Sequence, residues 1–422
     1  MTLLIKNANE VITLKSALQG PRIKEQMREI AVVEKGSVLV AGSQVVAVGA
    51  YEQLVIDFPH LVEEAEVIDA SGKIVMPGLV DCHTHLVHGG TREQEFNMRL
   101  NGSTYMDIMN AGGGIHATTK RTRETSFEVL YEKTMHHLDV FLKHGVTTVE
   151  AKSGYGLDWE TEKKQLEVAK KLQDTHVVDV ISTFMGAHAV PRDFKGREDE
   201  FVDVIINDML PKVSALELAE FNDVFCEKGV FTPAQSRRIL EAGKALGLTP
   251  KIHADEIEPY NGAELAADVG AISAEHLLVA SDEGIQNMAE AGTIAVLLPG
   301  TAFFLRAPFA RGRLMIDEGV PVAISTDFNP GSSPTMSLPF IMNLACMHMG
   351  LTLEEVITAT TINAAHALNR GHQIGTLEAG KQADVIILDV ANYKQLQYFY
   401  GMNHTDTVIK KGQVVMRHGI LL

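Results

Sequence analysis

Met76-Pro77-Gly78-Leu79-Val80-Asp81-Cys82-His83-Thr84-His85 is the stretch on which the fold turns. The run from Ile74 to Asp81 is apolar enough for a buried parallel strand, and two histidines two residues apart follow it. On extended backbone such residues share a face, with Cα atoms about 6.6 Å apart. Both imidazoles can therefore reach one ion at metal–nitrogen distances of about 2.0–2.1 Å. Cys82 lies between them, where strand alternation turns it to the other face and packing is its expected role. A lone His-x-His is as easily a pair of hydrogen-bonded histidines, so the reading needs further donors downstream.

The 422 residues are 45% hydrophobic and 22% charged, enough for one large domain and a smaller one. Lys and Arg number 37 against 54 Asp and Glu, a formal charge of -17, so no basic footprint for nucleic acid is expected. Cys82, Cys226 and Cys346 are scattered and odd in number, which fits reduced thiols in a cytoplasmic protein rather than a disulfide framework. Leu3-Leu4-Ile5 is too short for a signal core, and the apolar run at Ile294 to Leu298 stops at Pro299-Gly300, so no membrane segment is expected.

From about 74 to 370, apolar strand candidates alternate with helix-like segments such as Glu162 to Leu172 and Ser236 to Leu246. The candidates are Ile74–Asp81, Val146–Ala151, Val177–Phe184, Asp223–Cys226, Lys251–Ala254, Ala271–Ala274, Thr293–Leu298 and Pro321–Thr326. Eight strands in this alternation predict a (β/α)8 TIM barrel over residues 74–373, with functional groups just past the strand C-termini. At those ends stand His83, His85, Tyr155, His188, His253, Glu256, His276, Asp327 and Asn329. Residues 1–73 and 374–422 carry short β-like runs with no convincing helix, and neither piece could bury a core alone. They are expected to pair into one small β-sandwich domain.

His253 and Asp327 extend the His83/His85 pair to three nitrogens and one oxygen, a set that suits one Zn2+ or Fe2+/Fe3+ with a position left for water. Separately, His253 reads as a core histidine and Asp327 as a turn residue before Pro330; on separate strand ends of one barrel the metal reading prevails. Ala111-Gly112-Gly113-Gly114 lacks the Gly-Lys-Ser/Thr ending of a phosphate loop and is expected to form a mobile loop beside the site.

Pro77-Gly78-Leu79-Val80-Asp81 leading into His83-x-His85, then His253, His276, Asp327, Asn363-Ala364-Ala365 and the closing Gly375 to Asp384 motif together resemble the amidohydrolase superfamily over the whole chain. Ala151 to Leu157, Thr183 to His188, His253 to Glu256 and Thr326 to Ser332 resemble its imidazolone-opening branch. That resemblance implies hydrolysis of the cyclic amide of 4-imidazolone-5-propanoate to N-formimidoyl-L-glutamate. It implies Glu256 as the proton shuttle, His276 as a catalytic group or a group beside the metal, and Asp327 as a ligand that also orients water. Arg92 would grip the propanoate bidentately, while Tyr155, His188, Glu256, Asn329, Gly331 and Ser332 would hold the rest of this small-molecule substrate. A homodimer is likewise what the resemblance implies. Strand four ends in Phe225-Cys226-Glu227-Lys228 with no lysine on the strand for a carbamylated bridge, so one metal is expected, with Lys228 the residue that would overturn this. The rival reading is a deaminase of the same superfamily; a barrel kept only as a binding scaffold would have shed ligands that this chain retains.

Overall fold

Eight strands form one parallel sheet in sequence order: β1 (Leu79–Asp81), β2 (Val146–Lys152), β3 (Asp179–Ala187), β4 (Phe221–Cys226), β5 (Thr249–Ala254), β6 (Ser273–His276), β7 (Ile294–Leu297) and β8 (Val322–Ile324). These come from a computed structural model that describes residues 2–104, 107–108 and 111–422. The sheet closes on itself through a parallel bridge from Thr84 to Phe328, flanked by Asp327 N–H to His83 O at 3.1 Å and His85 N–H to Phe328 O at 2.9 Å. The protein is a (β/α)8 barrel, and its seam runs through the residues that the sequence marks as metal ligands.

Helices cover the outside because each presents an apolar stripe. In Trp159–Thr175 the stripe includes Leu166, Ala169 and Leu172, and Asp158 starts the helix by accepting the Thr161 N–H at 2.8 Å. Pro233–Ala245 begins with a Thr232/Gln235 capping box and Pro at its first position. The barrel floor is apolar. Val80, Ile181, Phe221 and Val296 pack with Ala364, Ala365 and Leu368 of the helix Ile362–Ala367 region, and Asn363 anchors that helix by donating to Val322 O at 2.9 Å.

The predicted strand Ile74–Asp81 is two strands. Ile74–Pro77 leaves the barrel to pair antiparallel with Val385–Leu388 and parallel with Glu10–Ile12. The chain changes sheets at Gly78, where a Cβ would collide with the Thr147 side chain. Apolarity alone does not reveal such a break, because both halves are buried on both faces. The seven-stranded sheet that results mixes both chain ends: Ile74, Met76, Ile386 and Leu388 face the barrel, while Val75, Val385, Ile387 and Ile409 pack with Leu3, Ile5, Val38 and Val40 of a four-stranded N-terminal sheet. Two β-sheets thus sandwich a core of their own beside the barrel.

The N-terminal segment does contain helices, Tyr51–Asp57 and Pro59–Glu63, which lay Leu54 on Leu4 and Leu39. Seven and five residues are too few turns for a 3.6-residue period to stand out in sequence. Among the described residues no helix is long and apolar enough to cross a membrane. The three cysteines are free, and Cys82 packs in the floor cluster with Val80 and Phe221.

At the barrel floor, Asp179 at the start of β3 accepts from Lys410 at 2.8 Å and Lys411 at 2.6 Å, tying the barrel to the strand Thr405–Lys410 of the seven-stranded sheet. Burial opposes its ionisation, but the two ammonium groups win and hold its carboxyl below the usual range. A depressed carboxyl stabilises above its unfolded value and loses that contribution as pH falls through the folded one. Asp179→Asn should therefore cost about 1.5–3 kcal/mol at neutral pH. The melting temperatures of the variant and the parent should converge below the ordinary aspartate value of about 3.9.

Candidate active site

The strand ends open into a cavity of about 550 Å3 lined by His85, Arg92, Tyr155, His188, His253, Glu256, His276, Asp327, Asn329, Gly331 and Ser332, with His83 buried beneath. Every site residue named from sequence is in or under this one cavity. Three of the residues that shape the strand ends, Asp255, His276 and Asp327, hold left-handed backbone (φ 49°, 72° and 51°), a conformation that costs non-glycine residues energy and concentrates at functional sites.

The donor atoms converge. Those of His83, His85 and Asp327 lie within 4.8 Å of one another, as do those of His83, His253 and His276. Asp327 Oδ1 stands 3.4 Å from His83 Nε2 and 3.8 Å from His85 Nε2. The His83 and His253 ring centres are 4.6 Å apart. His83 Nε2, His253 Nε2 and Asp327 Oδ1 are buried without any hydrogen-bond partner, an expensive arrangement unless a cation takes all three. Their other polar atoms are tied down. Glu275 meets His83 Nδ1, Asp223 meets His253 Nδ1 at 3.1 Å, and Thr301 donates to Asp327 Oδ2 at 2.5 Å. Each imidazole thus turns the same nitrogen to the cluster, as metal-ligating histidines do.

Ionisation divides the histidines: burial opposes protonation of His253, but the Asp223 carboxylate at Nδ1 outweighs it and raises that imidazole. Burial, with Lys152 next in weight, pushes His83 well below its ordinary value, and burial followed by His188 does the same to His85, so both rest neutral, the form in which an imidazole can bind a cation. Burial drives Asp327 up to about 7, the penalty of an isolated interior carboxylate that a cation relieves. Burial, reinforced by the Asp327 carboxylate, raises Glu256 to about 8. Glu256 Oε1 lies 3.7 Å from His276 Nδ1, and its side chain is 15% exposed to the cavity.

Beneath the cluster lies a layer that the sequence reading missed. Lys152 pairs with Asp223 at 2.7 Å, Glu150 at 3.0 Å and Glu275 at 3.6 Å, and Lys251 pairs with Glu150 at 3.1 Å and Glu275 at 3.5 Å, all fully buried. Polar and charged residues recur at alternate positions of otherwise apolar strands: Glu150/Lys152, Lys251/His253 and Ser273/Glu275. A charged residue every second position in a buried strand was the available signal.

Other residues settle into distinct places. His85 and His188 stack at 4.7 Å, with Tyr155 5.4 Å and 5.2 Å from them. His188 Nδ1 is paired with Gly154 O, which leaves Nε2 as its other polar atom. Asn329 lines the cavity, yet its amide is committed to the turn: Oδ1 accepts from Gly331 and Ser332 N–H at 2.8 Å each, and Nδ2 donates to Asp327 O at 2.7 Å. Asp255 faces its own loop, accepting from Tyr260, Gly262 and Ala263 N–H. Lys228 is 61% exposed and pairs with Glu258, so no strand-four lysine reaches the cluster. Gly114, in the predicted glycine loop, lines the cavity with its N–H held by Glu95.

A (β/α)8 barrel with this donor set at its strand ends defines a metal-dependent hydrolase, and residues 74–415 match the amidohydrolase family. Similar solved structures include an atrazine chlorohydrolase from Arthrobacter aurescens TC1 complexed with zinc (TM-score 0.74, 18% identity, 100% of this chain and 96% of that one). An E. coli guanine deaminase has the same TM-score of 0.74 at 14% identity, covering 99% of both chains. At these identities the likeness is one of fold. Much closer in sequence are an imidazolonepropionase of Geobacillus sp. (strain WCH70), 64% identical over 99% of both chains, and one of Streptococcus sanguinis (strain SK36), 49% identical over 99% of this chain and 98% of that one. The chain belongs to the imidazolonepropionase family of amidohydrolases.

His83→Ala or His253→Ala should empty the metal site and abolish turnover while circular dichroism stays unchanged. Asp223→Asn, which loosens His253 without removing a ligand, should weaken metal affinity about 10- to 100-fold by titration against a chelator.

Proposed function

We propose that this protein hydrolyses the cyclic amide of 4-imidazolone-5-propanoate to N-formimidoyl-L-glutamate, a step of histidine degradation. The observation that carries the reading is the unpartnered trio His83 Nε2, His253 Nε2 and Asp327 Oδ1 beneath a cavity whose rim holds Arg92, in a chain 64% identical to an imidazolonepropionase along its length. The ligands would be His83, His85, His253 and Asp327, and the ion Zn2+ or iron, both of which accept this borderline set. When bound, it supplies Lewis acidity toward the carbonyl oxygen and lowers the pKa of water.

The chain's own groups do the rest. Water attacks the ring carbonyl carbon, the C–N bond of the cyclic amide breaks, and Glu256 carries the proton from that water to the departing nitrogen. Burial raises its carboxyl to about 8, which favours the protonated form that delivers a proton to the departing nitrogen. Asp327 orients the water, and His276, beside Glu256, faces the carbonyl oxygen. Tyr155 and His188 hold the ring, Ser332 and the Gly331 backbone hold the chain, and Arg92 binds the propanoate. Asn329 shapes the turn that presents them.

The protein would act in the cytoplasm as a homodimer. Tyr398 (75% exposed), Tyr400 (68%) and Met402 (60%), three exposed large apolar side chains within five residues, support self-association.

Loss of the imidazolone absorbance without ammonia release is the expected result with the metal-loaded enzyme; ammonia would instead mark a deaminase. Glu256→Gln should lower kcat by about 10²–10⁴ with metal content unchanged, whereas Asp255→Asn should cost stability and leave the pH–rate profile in place. Arg92→Met should reduce kcat/KM by about 10- to 150-fold on the propanoate substrate and much less on an analogue lacking the carboxylate.

A further inference from the structure

Away from the metal cluster, the cavity's charge sits on the first loop and the helix after it, Glu93–Leu100. Arg92 immediately precedes this helix, and its Nη2 donates to Glu95 Oε2 at 2.5 Å. The other Glu95 oxygen accepts the Gly114 N–H at 3.1 Å. Arg92 therefore already has a buried counterion. Arg99, one turn beyond Glu95, also lines the cavity, and among the described residues it makes no ion pair. Its guanidinium lies 4.8 Å from the centre of the Phe304 ring, and Nη2 donates to Gly331 O at 3.3 Å. Gly331 is thereby flanked on both sides, since a Cβ there would run into the Arg92 guanidinium. Two guanidiniums and one carboxylate leave this corner with one uncompensated positive charge. Partial burial and the proximity of Arg92 push the Arg99 pKa down, and Glu95, already bonded to Arg92, offsets only part of this.

We propose that Arg99 is a second carboxylate-binding residue, which holds the substrate's anionic tail together with Arg92 across Gly331 and sets the preference for carboxylated substrates. Arg92, fixed by Glu95, supplies geometry; Arg99 supplies the free charge. The Phe304 ring and the Gly331 carbonyl hold the guanidinium at the cavity wall, a pair of contacts that a lysine ammonium does not reproduce. The identity of the tail as a propanoate rests on the ring-opening reading; the need for an anion does not.

The test uses the metal-loaded protein and its Arg99→Met and Arg99→Lys variants. KM and kcat for 4-imidazolone-5-propanoate are measured, with calorimetric binding of imidazole-4-propanoate and of 4-propylimidazole. Arg99→Met should raise KM and weaken imidazole-4-propanoate binding about tenfold, with kcat within about twofold and 4-propylimidazole binding unchanged; Arg99→Lys should fall between. Values for Arg99→Met within twofold of the parent, or equal losses for both imidazoles, would overturn the assignment, the second outcome reducing Arg99 to a prop for Phe304. If the parent protein fails to open the imidazolone, the proposed reaction falls, while the paired imidazoles still decide the role of Arg99.

Discussion

The site depends on the ammonium group of Lys152. It holds Asp223 at 2.7 Å and reaches Glu275 at 3.6 Å, and those two carboxylates hold His253 and His83, whose rings stand side by side in the cluster. Removing one partner from a fully buried ion pair leaves an uncompensated charge, so each member over-determines the rest. Lys251 closes the network from the next side, lying over the Phe221 ring at 5.2 Å, where the charged layer meets the apolar floor. Barrel interiors are usually filled with branched aliphatics. Here only the floor is, and the middle layer is given to charges that orient imidazoles.

This layering explains how a metal site can be both buried and accurate. The floor cluster seals the barrel from below with the helix region Ile362–Leu368, and the loops leave an opening above. Between them, backbone hydrogen bonds across the seam set His83, His85 and Asp327 side by side. The clustered donors are thus positioned by main chain from one direction and by carboxylates from the other, which leaves one nitrogen without a partner on each of His83 and His253.

The groups on the cavity rim follow a different logic. They sit on loops, and they are ordered by contacts among loops: Glu95 joins Arg92 to Gly114, Arg99 joins Phe304 to Gly331, and Asn329 folds its own turn around Gly331 and Ser332. In such barrels the strand ends carry the fixed chemistry, and the loops, held here by contacts with one another, carry what varies from one barrel to the next.

The eight strand candidates and the clustering of His83, His85, His253 and Asp327 beside Glu256 and His276 were legible in the chain, because buried strands are apolar runs and donors past their ends break the pattern. The split of Ile74–Asp81 at Gly78 was not legible, since both halves are buried on both faces and only their hydrogen-bonding partners differ. Nor were the partners of Lys152 and Lys251, for a charge in a strand is visible in one dimension but its counter-charge, 71 residues away for Asp223, is assigned only by closing the barrel. Asn329 shows the same limit from the other side: its place past a strand end marks it as functional, and only the fold reveals that its amide holds the turn. Sequence determines which residues carry chemistry because composition and period record burial. Tertiary structure alone decides which of them face one another, because that depends on register and closure, which no local period encodes.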